Sequence, residues 1–303
     1  MRFSVWPSFQ REWTEVLELA RRAEAQGWDG IWFPDHYMSD DPNGEPSDEP
    51  ALECWSTLAA LGAAAPRLQL GSLVSPSTVH HPALLAHQAT TVDVVSGGRL
   101  VLGIGAGWQV NEHKAYGWEL PPPKARVDRF AEFIEILHGL LHDKRTTFAG
   151  KYFSVVDAPC EPKGATDPVP ILVGTGGPRM LRLTARWAQA WNVWGTPERV
   201  RDRSAALDQA CAAVGRDPST MRRTAQALFF LTDDDDAASA IKARVPADRS
   251  VVGGAAELVD NLGEYAAAGI DELIVPDFAF GKTSEKRRDA YDRFWNEVVL
   301  ASR

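Results

Sequence analysis

The sequence predicts a closed (β/α)8 barrel, the TIM-barrel class of α/β fold. Short apolar runs alternate with longer segments of helical spacing along the chain, the pattern of a parallel sheet built from β-α-β units. Eight such runs are present, and eight strands favour a closed barrel over an open doubly wound sheet. The 303 residues match a barrel of roughly 250 residues plus insertions.

Residues 2–6 read as the first strand. Residues 12–26 follow as a helix, with Val16, Leu17, Leu19, Ala20 and Ala23 on one face and Gly27 as its stop. The second unit is a strand at 30–33 and a helix at 51–65; the third is a strand at 68–75 and a helix at 82–95 that opens with a proline. After the Gly97-Gly98 turn come a fourth strand at 100–105 and a helix at 126–141, whose Phe130, Phe133, Ile134, Leu137 and Leu141 share a face. Residues 143–167 break the rhythm and read as an inserted hairpin, with strands at 146–148 and 152–156. The alternation resumes with strands at 170–174, 190–194, 222–231 and 271–276, and helices at 178–187, 197–214, 255–268 and 284–300. One domain is expected over 1–303, with insertions near 37–50, 143–168 and 244–252. Asp233–Asp236 reads as a solvated helix start, since a calcium loop needs a different spacing and an internal glycine.

Composition narrows the function. There are 41 acidic against 32 basic side chains, a formal net charge of -9. That balance argues against nucleic acid as a partner. Cys54, Cys160 and Cys211 lie far apart and form no C-x-x-C pair, as expected of reduced thiols in a cytoplasmic protein. No stretch is apolar enough for a signal peptide or a membrane span.

Barrel enzymes place their chemistry at the C-terminal ends of strands. The second strand ends in Asp35-His36, a carboxylate beside an imidazole, which suits acid/base work. The alternative is a histidine hydrogen-bonded in a polar rim. The third strand ends around Leu73-Val74-Ser75-Pro76, either a turn or a backbone bulge pressed against a flat ring. The fourth runs into Gly103-Ile104-Gly105-Ala106-Gly107-Trp108, followed by Asn111 and Glu112; this is not the dinucleotide fingerprint, but its glycines permit close approach to a ligand. The fifth runs into Gly174-Thr175-Gly176-Gly177-Pro178 at a helix start, which is either a turn or an anion site. Trp6, Trp108 and Trp194 fall where a substrate pocket is expected. A metal site would want His80, His81 and His87 converging with a carboxylate on one open site; His80-His81 precede Pro82 on a loop and His87 lies a helical turn or more along, and no metal is expected.

As a set, these motifs resemble the luciferase-like monooxygenase family, in particular its branch that uses coenzyme F420. The resemblance is carried by Gly27-Trp28-Asp29-Gly30-Ile31-Trp32-Phe33-Pro34-Asp35-His36, by the Gly97–Trp108 stretch, by Asp157-Ala158-Pro159-Cys160-Glu161-Pro162-Lys163 and by Ala266-Ala267-Ala268-Gly269-Ile270-Asp271-Glu272-Leu273. It implies a hydride-transferring oxidoreductase acting on a small molecule, usually as a homodimer. Asp35 and His36 would lie beside the cofactor ring, with His36 exchanging the proton. A non-proline cis peptide at Leu73–Val74 would buttress the ring, with Ser75 beside it. Ala106, Gly107 and Asn111 would touch the ring or ribityl chain. Thr175, Gly176 and Gly177 would hold the phosphate through backbone N–H groups. Arg179 and Arg182 are candidates for the cofactor's anionic tail. The branch that oxidises glucose 6-phosphate carries a glutamate where this chain has Trp108, which argues against that substrate and for a flat or apolar one. The competing readings are an FMN-dependent monooxygenase using O2, a barrel that binds a flavin without turnover, and a metal-dependent hydrolase.

Overall fold

The computed structural model describes residues 1–303. Strand β1 (Arg2–Trp6) buries four of its five residues, as a strand covered on both faces does. Helix α1 (Trp13–Gln26) turns Val16, Ala20 and Ala23 inward, and Gly27 ends it in the left-handed conformation, φ 95°. The unit repeats as β2 (Gly30–Phe33), α2 (Cys54–Ala64), β3 (Gln69–Ser72), the short β4 (Ser75–Pro76), α3 (Pro82–Ser96) and β5 (Leu100–Gly105). Next come α4 (Val110–Tyr116), α5 (Pro123–His142) and the antiparallel ribbon β6 (Thr146–Ala149) and β7 (Ser154–Ala158). The chain continues through β8 (Ile171–Gly174), α6 (Pro178–Trp187), β9 (Ala190–Trp194), α7 (Pro197–Ala213), β10 (Arg222–Gln226) and β11 (Leu228–Leu231). It ends with α8 (Asp235–Lys242), β12 (Ser250–Gly253), α9 (Ala255–Ala267), β13 (Glu272–Pro276) and α10 (Ser284–Phe294).

Eight parallel strands follow one another in the order β3-β2-β1-β13-β10-β9-β8-β5, and β5 pairs back to β3 at Leu70–Leu100 and Gly71–Val101. The sheet is therefore a closed (β/α)8 barrel, as the alternation predicts. Its main core, 62 buried residues, lies between strands and helices, while Trp6, Trp32, Leu73, Val101, Leu172, Ala190 and Ile274 form a second cluster. Trp32 requires Gly71 beside it, because a Cβ there would lie 2.3 Å from the indole ring. Trp32 Nε1 donates to buried Glu272 at 2.8 Å, and Arg222 pairs with the same carboxylate.

Several boundaries differ from the sequence reading. The expected third strand, 68–75, divides into β3 and β4 around a cis peptide at Leu73–Val74. The expected seventh strand, 222–231, also divides: β10 stays in the barrel, and β11 leaves it to pair in parallel with β12. Strand β12 lies partly within what read as an insertion near 244–252. The last helix stops at Phe294 and passes into a wider π turn over Trp295–Val299. Asp234 caps α8 by accepting from the N–H groups of Asp236 and Ala237, so the acidic run is a helix start.

Candidate active site

The C-terminal strand ends open into a cavity of about 1020 Å³. Its floor is shaped by the segment between β3 and β4. Leu73 and Val74 both line the cavity. Glycines make the room for Val74: a Cβ at Gly105 would meet its side chain at 2.8 Å and one at Gly174 would meet it at 3.1 Å. A Cβ at Gly103 would lie 1.9 Å from the Ser72 carbonyl oxygen. The first two glycines of G-x-G-x-G therefore accommodate the protein's own bulge. Gly105 and Gly107, the latter with φ +88°, reach the lining.

Asp35 and His36 face different ways, as successive residues of an extended chain do. Asp35 is 1% exposed and does not line the cavity. Its Oδ2 accepts from Ser75 Oγ at 2.5 Å and lies 2.8 Å from His80 Nε2. Burial alone would raise the Asp35 carboxyl, but the charge and hydrogen bond of His80, with Ser75, carry it below its ordinary value. Burial would likewise lower His80, but the Asp35 carboxylate carries it upward. Each partner thus favours the charged form of the other. Asp35 thus orients His80 rather than His36, and His80 belongs to this buried pair. Ser75 faces Asp35 and is also off the cavity lining.

His36 is the only histidine lining the cavity. Its Nδ1 lies 3.1 Å from Glu112 Oε1. Trp108 stands edge-on to the imidazole at 5.5 Å, and Phe9 lies 6.1 Å away. Trp108 is 55% exposed at the rim. The aromatic wall continues with Trp6, whose ring centroid is 5.5 Å from Trp194 and 4.9 Å from Phe278. All three expected tryptophans line the cavity; Phe278 was missed, although it stands two residues past β13. Trp6 Nε1 is buried and has no hydrogen-bond partner.

Asn111 points away from the cavity. It is 1% exposed, and its Nδ2 donates to the carbonyls of Ser39 at 2.7 Å and Glu45 at 3.0 Å. It fastens the 37–50 loop to α4, which leaves none of its amide donors for a cofactor. Ala106 is packed against the main core and is not on the lining.

The Thr175-Gly176-Gly177 segment is only partly available. Thr175 N–H donates to the Asn192 carbonyl at 3.1 Å, and Gly177 N–H donates to Thr175 Oγ1 at 3.3 Å. Gly176 N–H remains free, and Gly177 is off the lining. The cations near it are not those expected. Arg179 pairs with Asp128 at 2.5 Å outside the cavity, and Arg182 does not line it. Instead Arg199, Arg203 and Arg249 line it. Arg203 Nη1 donates to the Gly176 carbonyl at 3.1 Å, and Arg199 pairs with Asp248. Arg11 and Arg287 also reach the rim, but carboxylates hold both: Arg11 donates to Asp277 at 2.9 and 3.0 Å, and Arg287 to Glu15 at 2.6 Å. No group of three or more His, Cys, Asp or Glu side chains is arranged to hold a metal ion.

Comparison with known proteins bears on this site. An F420-dependent glucose-6-phosphate dehydrogenase of Nakamurella multipartita is 35% identical over 179 residues, 59% of this chain and 51% of its own. An F420-dependent hydroxymycolic acid dehydrogenase of Mycobacterium tuberculosis is 30% identical over 225 residues, 74% of this chain and 61% of its own. The chain thus spans about half to two thirds of the length of these curated relatives. Among solved structures, an F420-dependent secondary alcohol dehydrogenase with a bound F420-acetone adduct superposes with a TM-score of 0.85 at 20% identity, covering 100% of this chain and 99% of its own. A monooxygenase from Streptomyces bottropensis gives 0.81 at 18% identity, covering both chains fully, 100% each. At such identities the superpositions speak for the barrel alone. Residues 1–244 match the luciferase-like monooxygenase family, and the chain belongs to that family.

Proposed function

We propose that this protein is a coenzyme F420-dependent oxidoreductase that moves hydride between the deazaflavin and a small organic substrate. The observation that carries the reading is His36: an imidazole facing a deep aromatic cavity, braced by a buried carboxylate. When bound, the deazaflavin supplies the hydride donor or acceptor.

The residues present fit such a group. The cavity exceeds the usual size of a small-ligand site, leaving room for a cofactor and a substrate together. Leu73 and Val74 offer an apolar platform for a ring. Gly176 N–H, with Arg199, Arg203 and Arg249, suits a phosphate and a further anionic tail. That cluster, and the cofactor printed in the names of the similar dehydrogenases, favour the deazaflavin over FMN. His36 exchanges the substrate's proton, and the aromatic wall orients the substrate and excludes water. Trp108 carries no acid, so the favoured substrate is flat or apolar, and glucose 6-phosphate is not turned over.

The same proposal includes a single domain over 1–303, a homodimer and a cytoplasmic location. No helix is long and apolar enough to cross a membrane, and all three cysteines are free and buried. Fluorescence titration of the purified protein with F420 and, in parallel, with FMN tests the reading. Saturable binding of F420 with weak FMN binding is expected. The reverse preference would move the assignment to an oxygen-dependent monooxygenase, and binding of neither would sink it.

A further inference from the structure

We propose that Glu112 is a positioning residue that fixes the tautomer of His36, placing the proton on Nδ1 and leaving Nε2 as the proton acceptor in the cavity. The inference rests on the reading of His36 as the proton-exchanging group, and it goes further by naming which nitrogen works and what decides it.

Glu112 is 1% exposed and clamped from three sides. Its Oε1 faces His36 Nδ1 at 3.1 Å, and its Oε2 accepts from the Tyr37 backbone N–H at 3.1 Å. Its own backbone N–H donates to Asn111 Oδ1 at 3.0 Å. An ionised carboxylate has acceptors only. Nδ1 must therefore carry the hydrogen when the ring is neutral, and Nε2 keeps its lone pair. With Nδ1 held by Glu112, Nε2 is the ring nitrogen left for the cavity that His36 lines. Asp35, the sequence neighbour, does not compete, because Ser75 and His80 hold it.

The chemistry follows for an alcohol in the cavity. Its O–H bond breaks and the proton goes to Nε2. The bound deazaflavin would supply the acceptor for the hydrogen that leaves carbon with both electrons, so that the alcohol would become a carbonyl and the cofactor would be reduced. The imidazolium then rests against the Glu112 carboxylate, the same logic as the carboxylate behind the histidine of a serine-protease triad.

The two oxygens of Glu112 suggest a decisive substitution. Both of its partners on those oxygens, Tyr37 N–H and His36 Nδ1–H, are donors. In Glu112→Gln only one oxygen remains. The backbone N–H of Tyr37 can only donate, so the amide oxygen goes to it and the amide NH2 faces Nδ1. Nδ1 must then accept, and the hydrogen moves to Nε2. The substitution inverts the tautomer while leaving shape and volume unchanged.

The test is nitrogen NMR on the full-length protein labelled at histidine, at about pH 8.5, two units above an ordinary imidazole. The His36 signals are assigned by their loss in His36→Asn. We expect Nδ1–H in the wild type and Nε2–H in Glu112→Gln. With oxidised F420 and 1-phenylethanol as probe, kcat of Glu112→Gln should fall by about 10²–10⁴-fold, as for other lost acid/base help. The F420 dissociation constant should stay within about threefold, less than 1 kcal/mol. Nε2–H in the wild type, or an unchanged tautomer in Glu112→Gln, overturns the proposal. If Glu112→Gln does not fold, the wild-type spectrum decides alone. Nδ1–H in a wild type that binds no F420 supports the tautomer assignment and sinks the cofactor reading separately.

Discussion

The buried pair of Asp35 and His80 makes a pH-dependent prediction. Asp35→Asn removes the charge and keeps the volume. Breaking a buried pair costs about 3–5 kcal/mol when it strands a charge. The low end, about 3 kcal/mol, is expected here, because His80 can shed its proton rather than remain an unpaired cation. For a chain this long, about 2 °C per kcal/mol gives a loss of about 6 °C in Tm. His80 is raised in the folded protein, so its contribution is whole below the unfolded value of about 6.5 and fades as pH rises through the folded value. Asp35 is lowered, so its contribution is whole above about 3.9 and fades only as pH falls through its folded value. The pair is therefore strongest between about pH 4 and 6.5. The gap between wild type and variant should be widest near pH 5.5 and should narrow toward pH 9. Each unit by which the pair raises His80 closes about 1.4 kcal/mol of it. Thermal unfolding of both proteins at the two pH values is the assay. Equal losses at both, or no loss at pH 5.5, would refute the assignment of a charged pair.

Three further outcomes are expected. His36→Ala should keep the wild-type Tm within about 2 °C, on the scale of 1 kcal/mol, and lower turnover by about 10²–10⁴-fold; steady-state kinetics that match the wild type would remove His36 from the mechanism. Arg203→Ala and Arg249→Ala should each weaken F420 binding by about tenfold or more, the scale of one charged hydrogen bond, and weaken FMN less, as parallel titrations would show. Gly103→Ala should cost about 1–3 kcal/mol or more by overpacking, because its Cβ would meet the Ser72 carbonyl at 1.9 Å. Gly263→Ala, in open space within α9, should instead gain about 1 kcal/mol from helix propensity; equal effects in thermal unfolding would contradict the packing argument.

The barrel is legible in the sequence because its strands are short apolar runs between helices of clear period, and β1, β2, β5 and β9 begin and end where that pattern places them. The run 222–231 hides a break, since β10 and β11 are continuous apart from Ala227 and nothing local marks the departure from the barrel. Helix α4 has seven residues, too few for a period to show. The partners of the site were out of reach for a different reason. Glu112 lies 76 residues from His36, and His80 lies 45 from Asp35. Only strand order brings them together. Adjacency in sequence pointed to Asp35 as the partner of His36, but neighbouring residues on extended chain diverge, so the adjacent carboxylate is the wrong one. The cations were misplaced similarly. Arg179 and Arg182 follow the glycine motif in sequence, whereas Arg199 and Arg203 come from the first turns of α7 and Arg249 from the segment just before β12.

The strand order also separates binding from chemistry. Around the closed ring β1-β2-β3-β5-β8-β9-β10-β13, β2 and β9 stand four positions apart, diametrically opposite. His36 follows β2, and Arg199 and Arg203 follow β9. A ligand that engages both must lie across the barrel mouth, over the Leu73–Val74 platform that follows β3 between them. An elongated group with a planar head and an anionic tail satisfies this; a compact one reaches only one side. The chain is acidic overall, and carboxylates hold several of its rim cations: Arg11 and Arg287 pair with Asp277 and Glu15 and Arg199 pairs with Asp248, while Arg203 meets only the Gly176 carbonyl. Arg203 is thus a cation on the β9 side with no carboxylate partner, placed to orient an anionic tail. Because the two sites share no partner, losses at Arg203 and at His36 act on binding and on turnover respectively, and in a double variant they add.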